Sequence, residues 1–487
     1  MTQQDSFSPG KPNPSAPASP APASKKPPEK EKESSVKETV ESILVAFILA
    51  FIFRAFIVEA FVIPTGSMAP TLLGAHMRFR CNDCGYRFAA NYSPSTNKRG
   101  DLYIPPTSEK SYRVFCPNCG YKLAPNDTEN SDNSADRPPV HYGDRILVLK
   151  YLYLIEEAQR WDVVVFKSPD LEPSGEPPTY TQNYIKRLVG RPNESVLILD
   201  GDIYIGQPGE QPPQFTIQTK PRYVQDALWR VIYDNDYVPR RLWRDGEKWQ
   251  QPWTVRDGAG WKIGDAPTPE GRTFRFDNAS GESTVYFNRE VNEISERPLD
   301  QRPYAFTDWL AYDVEHGTEH NVVHDLKLSF AYDRAAGDGP LRAKITRGEG
   351  QRRDEFIAVI TPTDARLLHR NKNGETVIGK PYPLPAQKRP RRVELTTVDY
   401  QVTLRIDDVN VAQTTPQDYR PDVPALLADY AAKQQQPLPT VEITAANQTA
   451  ALSHVGLWRD VYYINRLAVG GTGRLYWATP TELPASI

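Results

Sequence analysis

A serine in a constrained turn and a lysine in a strand-like segment are the residues in this sequence best suited to act together chemically. Ser67 lies in Pro64–Thr71, where glycine and proline restrict the backbone, and Lys186 lies in Tyr184–Arg187. A serine hydroxyl needs an adjacent base to become a nucleophile, and lysine is a base only when it is uncharged. We therefore expect apolar surroundings to lower the pKa of Lys186, although a solvated lysine on a strand is the commoner fate of any one lysine.

The four cysteines form two CxxC pairs, and each pair is followed by Gly and Tyr. Two such knuckles can place four thiolates around one tetrahedral ion, so a structural zinc ion is predicted at Cys81, Cys84, Cys116 and Cys119. A pair of disulfides is the alternative, because the segment is expected outside the cytoplasm. A thiol-redox role is disfavoured, because neither pair opens a βαβ pattern. No cofactor is expected for catalysis itself.

The N-terminal part of the chain contains a polar tail followed by an apolar segment. Residues 1–38 are rich in Pro, Ser, Ala, Lys and Glu and are expected to be disordered, whereas 39–62 is long enough for one transmembrane helix. Six lysines precede the apolar segment, so the positive-inside rule places the tail in the cytoplasm and the rest of the chain outside. A cleaved signal peptide is the alternative, because Ile43–Phe53 has the length of its apolar region.

Composition favours one fold class and gives no support to one class of partner. With 487 residues, 45 of them proline, the chain is too long for one core and favours strands and turns over helices. A formal charge of -3 gives no electrostatic reason to expect nucleic acid as a partner. The apolar runs RILVLKYLYLI, WDVVVFKSP, YIKRLVG and SVLILDGDIYIG predict short strands of a β-barrel or curled sheet.

Four sequence blocks, in this order, resemble those of bacterial type I signal peptidases, also called leader peptidases: FVIPTGSMAPTL, GDRILVLK, RWDVVVFKSP and NYIKRLVGRPNE. The resemblance implies that Ser67 attacks the scissile carbonyl and that Lys186 accepts its proton. It also implies an oxyanion hole made by the Ser67 N–H and the Thr65 hydroxyl, and a shallow cleft bordered by Met68 and Ile63. The implied enzyme is a single-pass protein of the bacterial cytoplasmic membrane that contacts lipid and cleaves signal peptides from exported preproteins on the outer face.

A further block of that family, GDN followed a few residues later by S-x-DSR, does not occur in the sequence. The segment VGLWRDVYYINR, at 455–466, resembles the strand that leads into this block. A C-terminal truncation or a frameshift would explain the difference. The leading hypothesis is an active serine endopeptidase, and the alternative is a catalytically impaired, membrane-anchored binding or scaffold protein.

The expected fold is mainly β, with a signal-peptidase-type core interrupted by two insertions. The core is assigned to 63–74 and 141–212, a zinc-ribbon-like insertion to 75–140, a jelly-roll-like β-sandwich to 215–452, and a return to the core to 453–487. The strand pattern near 393–408 resembles laminin-G or concanavalin-like sandwiches, which implies carbohydrate as a possible ligand. Five tryptophans could stack on sugar rings or fill the sandwich core: Trp229, Trp243, Trp249, Trp253 and Trp261.

Overall fold

The structure is a computed structural model that describes residues 35–63, 65–96, 102–123, 137–167, 183–208, 214–240, 249–264, 268, 270–292, 305–314, 321–434 and 436–464. The chain divides into two compact units, Met1–Glu59 and Ala60–Ile487. Strands predominate, as the sequence predicts. The helices are α1 Ser35–Ile52, α2 Leu152–Ile155, α3 Arg222–Leu228 and α4 Val423–Ala431.

The first unit contains one apolar helix. Helix α1 continues as a π-helical turn at Phe53–Ile57, and the 22 residues Val36–Ile57 are long and apolar enough to cross a membrane. The boundaries differ from the predicted 39–62, because the helix begins at Ser35 and ends at Ile57, and Val58–Val62 forms a strand. Aromatic and β-branched residues in this segment suit either conformation, so composition alone extended the predicted helix too far.

The strands before the sandwich are short. They are β1 Val58–Val62, β2 His76–Arg80, β3 Arg87–Asn91, β4 Ser95–Thr96, β5 Leu102–Tyr103, β6 Val140–His141, β7 Arg145–Leu149, β8 Val163–Lys167, β9 Asn183–Arg187, β10 Ser195–Leu199, β11 Asp202–Gly206 and β12 Thr216–Ile217. Strands β8 and β9 pair with each other, and β10, β11 and β12 form a second small sheet. The Leu199–Asp202 pair leaves Asp200 and Gly201 as a two-residue loop, and both have positive φ, as a type I′ turn requires.

The larger sheet contains 13 strands from Arg230 to Arg459. They are β13 Arg230–Asp234, β14 Trp253–Asp257, β15 Trp261–Ile263, β16 Phe274–Phe287, β17 Leu326–Ala336, β18 Leu341–Arg347, β19 Asp354–Ile360, β20 Asp364–Asn371, β21 Gly374–Pro383, β22 Arg391–Val398, β23 Gln401–Ile406, β24 Val409–Gln413 and β25 Val441–Arg459. The main order is β21-β20-β19-β18-β25-β17-β22-β23-β24. The end strands β21 and β24 also contact each other, so the sheet curls strongly.

Several boundaries differ from those that the sequence predicts. Strand β12 and helix α3 precede the large sheet, so the sandwich begins near Arg230 and not at 215. Strand β25 is 19 residues long and ends at Arg459, so the start of the predicted return to the core is part of the sandwich. The chain meets the core at Tyr463, which forms a bridge with Gly201. Within RILVLKYLYLI, only Arg145–Leu149 is a strand, because Leu152–Ile155 turns into helix α2.

Candidate active site

The structure brings Ser67 and Lys186 together. Lys186 Nζ lies 2.5 Å from Ser67 Oγ, which is hydrogen-bonding distance across 119 residues of sequence. Both side chains are exposed to solvent. The nucleophilic oxygen and the amine are therefore adjacent and open to a substrate that approaches from solution.

Strand pairing places Lys186 on the side of β9 that faces the serine. In the β8–β9 pair, Val164 lies opposite Lys186 and Val163 lies opposite Arg187. The next side chain, Arg187, points the other way: it donates to the Trp161 carbonyl at 2.8 Å and lies 3.4 Å from the Thr71 hydroxyl. The side-chain alternation of a strand is thus present, and Arg187 connects the strand of Lys186 to the turn of Ser67.

The surroundings of Lys186 favour its neutral form. Partial burial of the amine lowers the pKa of Lys186 below the ordinary lysine value, even though the residue keeps some solvent contact. The ring of Tyr184 lies 5.8 Å from Nζ, measured to the ring centroid. A lower pKa increases the fraction of uncharged lysine near neutrality, which is the form that can accept a proton.

The serine turn, Thr65–Leu72, is flanked by hydrogen bonds to Asp144 and by two glycines at which a side chain would not fit. Leu73 N–H donates to Asp144 Oδ2 at 2.7 Å, and Ile63 N–H donates to the Asp144 carbonyl at 3.0 Å. A Cβ on Gly74 would lie 2.1 Å from the Thr65 carbonyl carbon, and one on Gly143 would lie 1.8 Å from the Ile63 carbonyl oxygen. The GDRILVLK block therefore supports the turn through its first two residues.

Both insertions also reach this turn, which the sequence did not indicate. A Cβ on Gly66 would lie 2.3 Å from the hydroxyl of Tyr312, in the sandwich insertion, and 2.7 Å from Oδ1 of Asn91, in the ribbon insertion. Arg230, at the start of the sandwich, donates to the Ala69 carbonyl at 2.6 Å. No local sequence pattern marks these contacts, because they depend on how the two insertions fold back.

The other predicted site residues lie near the serine but differ in exposure. Thr65 is exposed, two residues before Ser67. Met68 and Ile63 are only 8% and 2% exposed. These two side chains are therefore shielded from solvent, whereas Thr65 and Ser67 are the exposed residues of this set.

The four cysteines form a second candidate site. All four are buried and free, and their sulfur atoms lie within 4.8 Å of one another. Two of the sulfur pairs, Cys81 with Cys119 and Cys84 with Cys116, are 3.6 Å apart. A tetrahedron of thiolates with metal–sulfur bonds of about 2.3 Å has edges of about 3.8 Å, whereas a disulfide bond is about 2.05 Å long. The geometry fits a single tetrahedral ion.

The knuckle turns explain why the glycines are needed. Gly85 and Gly120 donate to the carbonyls of Cys81 and Cys116, at 2.8 and 2.9 Å, and their φ angles are 80° and 70°. Positive φ values favour glycine over residues with a Cβ. The ribbon also packs on the sandwich, because Asp234 N–H donates to Asn118 Oδ1 at 2.6 Å. The four cysteines belong to the same continuous apolar core as the sandwich strands.

The tryptophans proposed to stack on sugars are mostly internal. Trp249, Trp253 and Trp261 are 7%, 2% and 8% exposed and lie in the sandwich core. Trp229 and Trp249 line a cavity of about 300 Å³ that lies beside Pro70 and Leu73. Trp243 lies outside the described residues. The three buried rings fill the core, which was the other role considered for them.

Comparison with known proteins agrees with the geometry of the site. Residues 36–111 and 128–266 match the family described as signal peptidase, peptidase S26. A signal peptidase I from Leptolyngbya laminosa is 31% identical over 120 residues, which cover 21% of this chain and 58% of that protein. Signal peptidase I T from Bacillus subtilis (strain 168) is 35% identical over 74 residues, which cover 15% of this chain and 34% of that protein. A probable signal peptidase I-2 from Synechocystis is 26% identical over 109 residues, which cover 21% of this chain and 48% of that protein.

The chain is therefore similar to type I signal peptidases over residues 36–111 and 128–266, and its N-terminal helix, Val36–Ile57, is long and apolar enough to cross a membrane. It spans about one third to three fifths of the length of these curated relatives.

Among solved structures, a Bacillus subtilis protein with a galectin-like fold covers 48% of this chain and 100% of its own, at 10% identity and a TM-score of 0.28. The match to the carbohydrate binding module CBM66 from Bacillus subtilis covers 42% of this chain and 95% of that module, at 11% identity and a TM-score of 0.25.

Proposed function

We propose that this protein is a membrane-bound serine endopeptidase that removes signal peptides from exported preproteins with a Ser67/Lys186 dyad. The observation that carries the proposal is the 2.5 Å separation between Ser67 Oγ and Lys186 Nζ. The lowered pKa of Lys186 supports it, because the amine must be uncharged to act as a base. The match to the signal peptidase family, which includes the segments that contain Ser67 and Lys186, supports the same chemistry.

The proposed reaction proceeds through an ester on the serine. Lys186 Nζ takes the proton from Ser67 Oγ while the oxygen attacks the scissile carbonyl, and the resulting ammonium then gives a proton to the leaving amine. The signal peptide remains bound to Ser67 as an ester. Neutral Lys186 next activates a water molecule, which hydrolyses the ester and restores the serine hydroxyl.

The oxyanion and the substrate side chains are assigned to neighbouring groups. The Ser67 N–H and the Thr65 hydroxyl would donate to the oxyanion, and one such donor commonly contributes about 3 kcal/mol to the transition state. Ile63 and Met68 are buried, and we assign the shallow cleft that the family resemblance implies to the surface beside them. A shallow cleft suits the small side chains that precede a signal peptide cleavage point.

The helix fixes the expected place of the reaction. Ser67 follows the end of the helix at Ile57 by ten residues. With the N-terminus in the cytoplasm, as the six lysines before the helix favour, the dyad would lie on the outer side of the bacterial cytoplasmic membrane. Membrane lipid and the apolar part of a signal peptide would then share the same environment.

We also assign a structural zinc ion to Cys81, Cys84, Cys116 and Cys119. The buried sulfur atoms, their 3.6 Å pair distances and the all-thiolate donor set support zinc over harder cations, which prefer oxygen ligands. Zinc would supply structure only, because the cysteines belong to the sandwich core and not to the Ser67 turn.

Cleavage position is the property that tests the proposed function. Full-length protein in detergent is expected to cut a synthetic signal peptide after a small-x-small sequence, with both products identified by mass spectrometry. A matched peptide with leucine in place of the residue before the scissile bond is expected to react at least tenfold more slowly, because the cleft is shallow. Equal rates for the two peptides, or no cleavage of either, would favour the scaffold interpretation instead.

A further inference from the structure

A buried cluster of acidic side chains lies where the peptidase core meets the sandwich, away from the dyad. Asp202 begins β11 in the core, Asp325 precedes β17, and Asp399 lies in the turn between β22 and β23. These side chains are 3%, 7% and 1% exposed, and one carboxylate oxygen of each lies within 4.8 Å of the others. We call these three residues the junction cluster.

The charges around the junction cluster do not balance. Lys220 contacts Asp399, and its Nζ lies 3.0 Å from Asp460 Oδ2. Arg347 lies 2.7 Å from Asp200 and 3.6 Å from Asp325. Asp460 also lies in the field of two further buried cations, Arg230 and Arg459. If Asp460 is assigned to Arg230 and Arg459, then among the described residues four carboxylates face two cations, an excess of two negative charges if all are ionised: Asp200, Asp202, Asp325 and Asp399 against Lys220 and Arg347.

Among the described residues, the histidine beside Asp200 does not supply the missing positive charge. His324 Nδ1 lies 3.9 Å from Asp200 Oδ2, but burial lowers the pKa of His324 to about 3. The ring is therefore neutral near pH 7. Its other nitrogen lies 2.8 Å from the Pro437 carbonyl, which fixes Nε2 as the donor.

Asp202 is the residue that points to a missing ligand. Among the described residues, its Oδ2 has no hydrogen-bond partner, although the side chain is almost completely buried. The nearest cation in an ion pair with this oxygen is Arg347, at 4.0 Å, and that guanidinium is already bound to Asp200 at 2.7 Å. A buried carboxylate oxygen without a partner is costly unless a proton or a cation neutralises it.

We propose that the junction cluster binds one divalent cation of the calcium class, with Asp202, Asp325 and Asp399 as ligands. The donor set consists of carboxylate oxygens, which calcium prefers, and calcium–oxygen distances of about 2.3–2.6 Å suit oxygens that lie no more than 4.8 Å apart. Asp399 also accepts hydrogen bonds from Lys220, and Asp325 from the Asp399 N–H. A carboxylate oxygen has lone pairs for both a hydrogen bond and a metal.

A cation at this position would join two parts of the chain. Asp202 belongs to the β10–β11 hairpin, which packs in one apolar cluster with Trp161, and the Trp161 carbonyl accepts from Arg187 beside Lys186. Asp325 and Asp399 directly adjoin strands of the sandwich sheet. The ion would therefore fix the sandwich against the strands that carry the catalytic lysine.

Terbium luminescence with full-length protein in detergent tests this site without reference to peptidase activity. Terbium is a hard cation that prefers oxygen ligands, and the rings of Trp161 and Tyr400 lie near Lys220 and Arg347, close enough to sensitise it. We expect saturation at one ion per chain and displacement by calcium. Asp202→Asn is expected to weaken terbium binding at least tenfold, whereas the exposed control Asp338→Asn is expected to leave it unchanged.

Thermal unfolding supplies the second measurement. Calcium is expected to raise the thermal unfolding midpoint of the wild-type protein by on the order of 5 °C, because the ion binds only the folded form. The unfolding midpoint of Asp202→Asn is expected to stay the same when calcium is added. Absence of terbium emission and of a calcium effect in the wild type would overturn the proposal. Asp202→Asn that binds terbium as tightly as wild type would also overturn it. If the cluster shares a proton instead, Asp202→Asn would be more stable than the wild type and calcium would have no effect.

Discussion

Replacement of Lys186 with methionine is expected to reduce kcat/KM for a signal peptide by roughly a thousandfold or more, because Ser67 would lose the base beside it. Methionine keeps the length and much of the volume of lysine but cannot accept a proton. Lys186→Arg should be almost as inactive, because arginine stays charged. Peptide cleavage followed by mass spectrometry measures both effects.

The matched control for this prediction is Lys167→Met, at the end of the neighbouring strand β8, where the lysine is exposed and does not contact Ser67. It should keep near wild-type activity. If Lys186→Met kept more than a tenth of the wild-type rate while folded, another base would have to be sought. Circular dichroism and thermal unfolding confirm that each variant is folded.

The same lysine determines how the rate depends on pH. Burial lowers the folded-state pKa of Lys186, so the neutral amine becomes available at lower pH than for an ordinary lysine of pKa about 10.4. The rate should therefore rise with pH through this lowered pKa and level off above it. An acid limb centred at or above the ordinary lysine pKa would contradict this role.

Replacement of Cys116 with serine is expected to have the largest effect on stability. Cys116 is completely buried, and its loss would leave three thiolates at a site that requires four. Because the four cysteines share one apolar core with the sandwich, loss of the ion should lower the unfolding midpoint of the whole second unit by ten degrees or more. Metal content by mass spectrometry should fall from about one zinc per chain to none.

Lys122→Ala is the control, because Lys122 is exposed between two buried residues of the same knuckle. It should keep the zinc and the wild-type midpoint. Wild-type protein with no zinc and with four cysteines joined in two disulfides would contradict the metal site. The separate zinc and calcium measurements distinguish the two sites, because thiolates and carboxylates select different cations.

The sequence predicted the parts of the site that are encoded in short motifs. Ser67 and Lys186 were paired because a serine nucleophile requires a base, and the structure places them in contact. The two CxxC pairs are predicted to form one site, and the structure places their sulfur atoms within 4.8 Å of one another. Helix α4 begins at Val423 after the N-cap Asp422, a residue type that commonly precedes the first helical residue.

Features that depend on long-range packing could not be predicted. Tyr312 and Asn91 contact the serine turn only because both insertions fold back onto it. Asp202 sits in a hairpin whose LDGD sequence indicates only a turn, and Lys220 and Arg347 have the composition of surface residues. Their burial follows from the docking of the core hairpin on the sandwich, which no local pattern records.

The most direct test of the central claim compares wild type, Ser67→Ala and Ser67→Cys in cleavage of one signal peptide under identical conditions. A Ser67/Lys186 peptidase should cut with the wild type, lose roughly a thousandfold or more of its rate with alanine, and keep measurable activity with cysteine, whose thiol is also a nucleophile. Wild type and Ser67→Ala that cleave at the same rate, or that are equally inert, would contradict the claim.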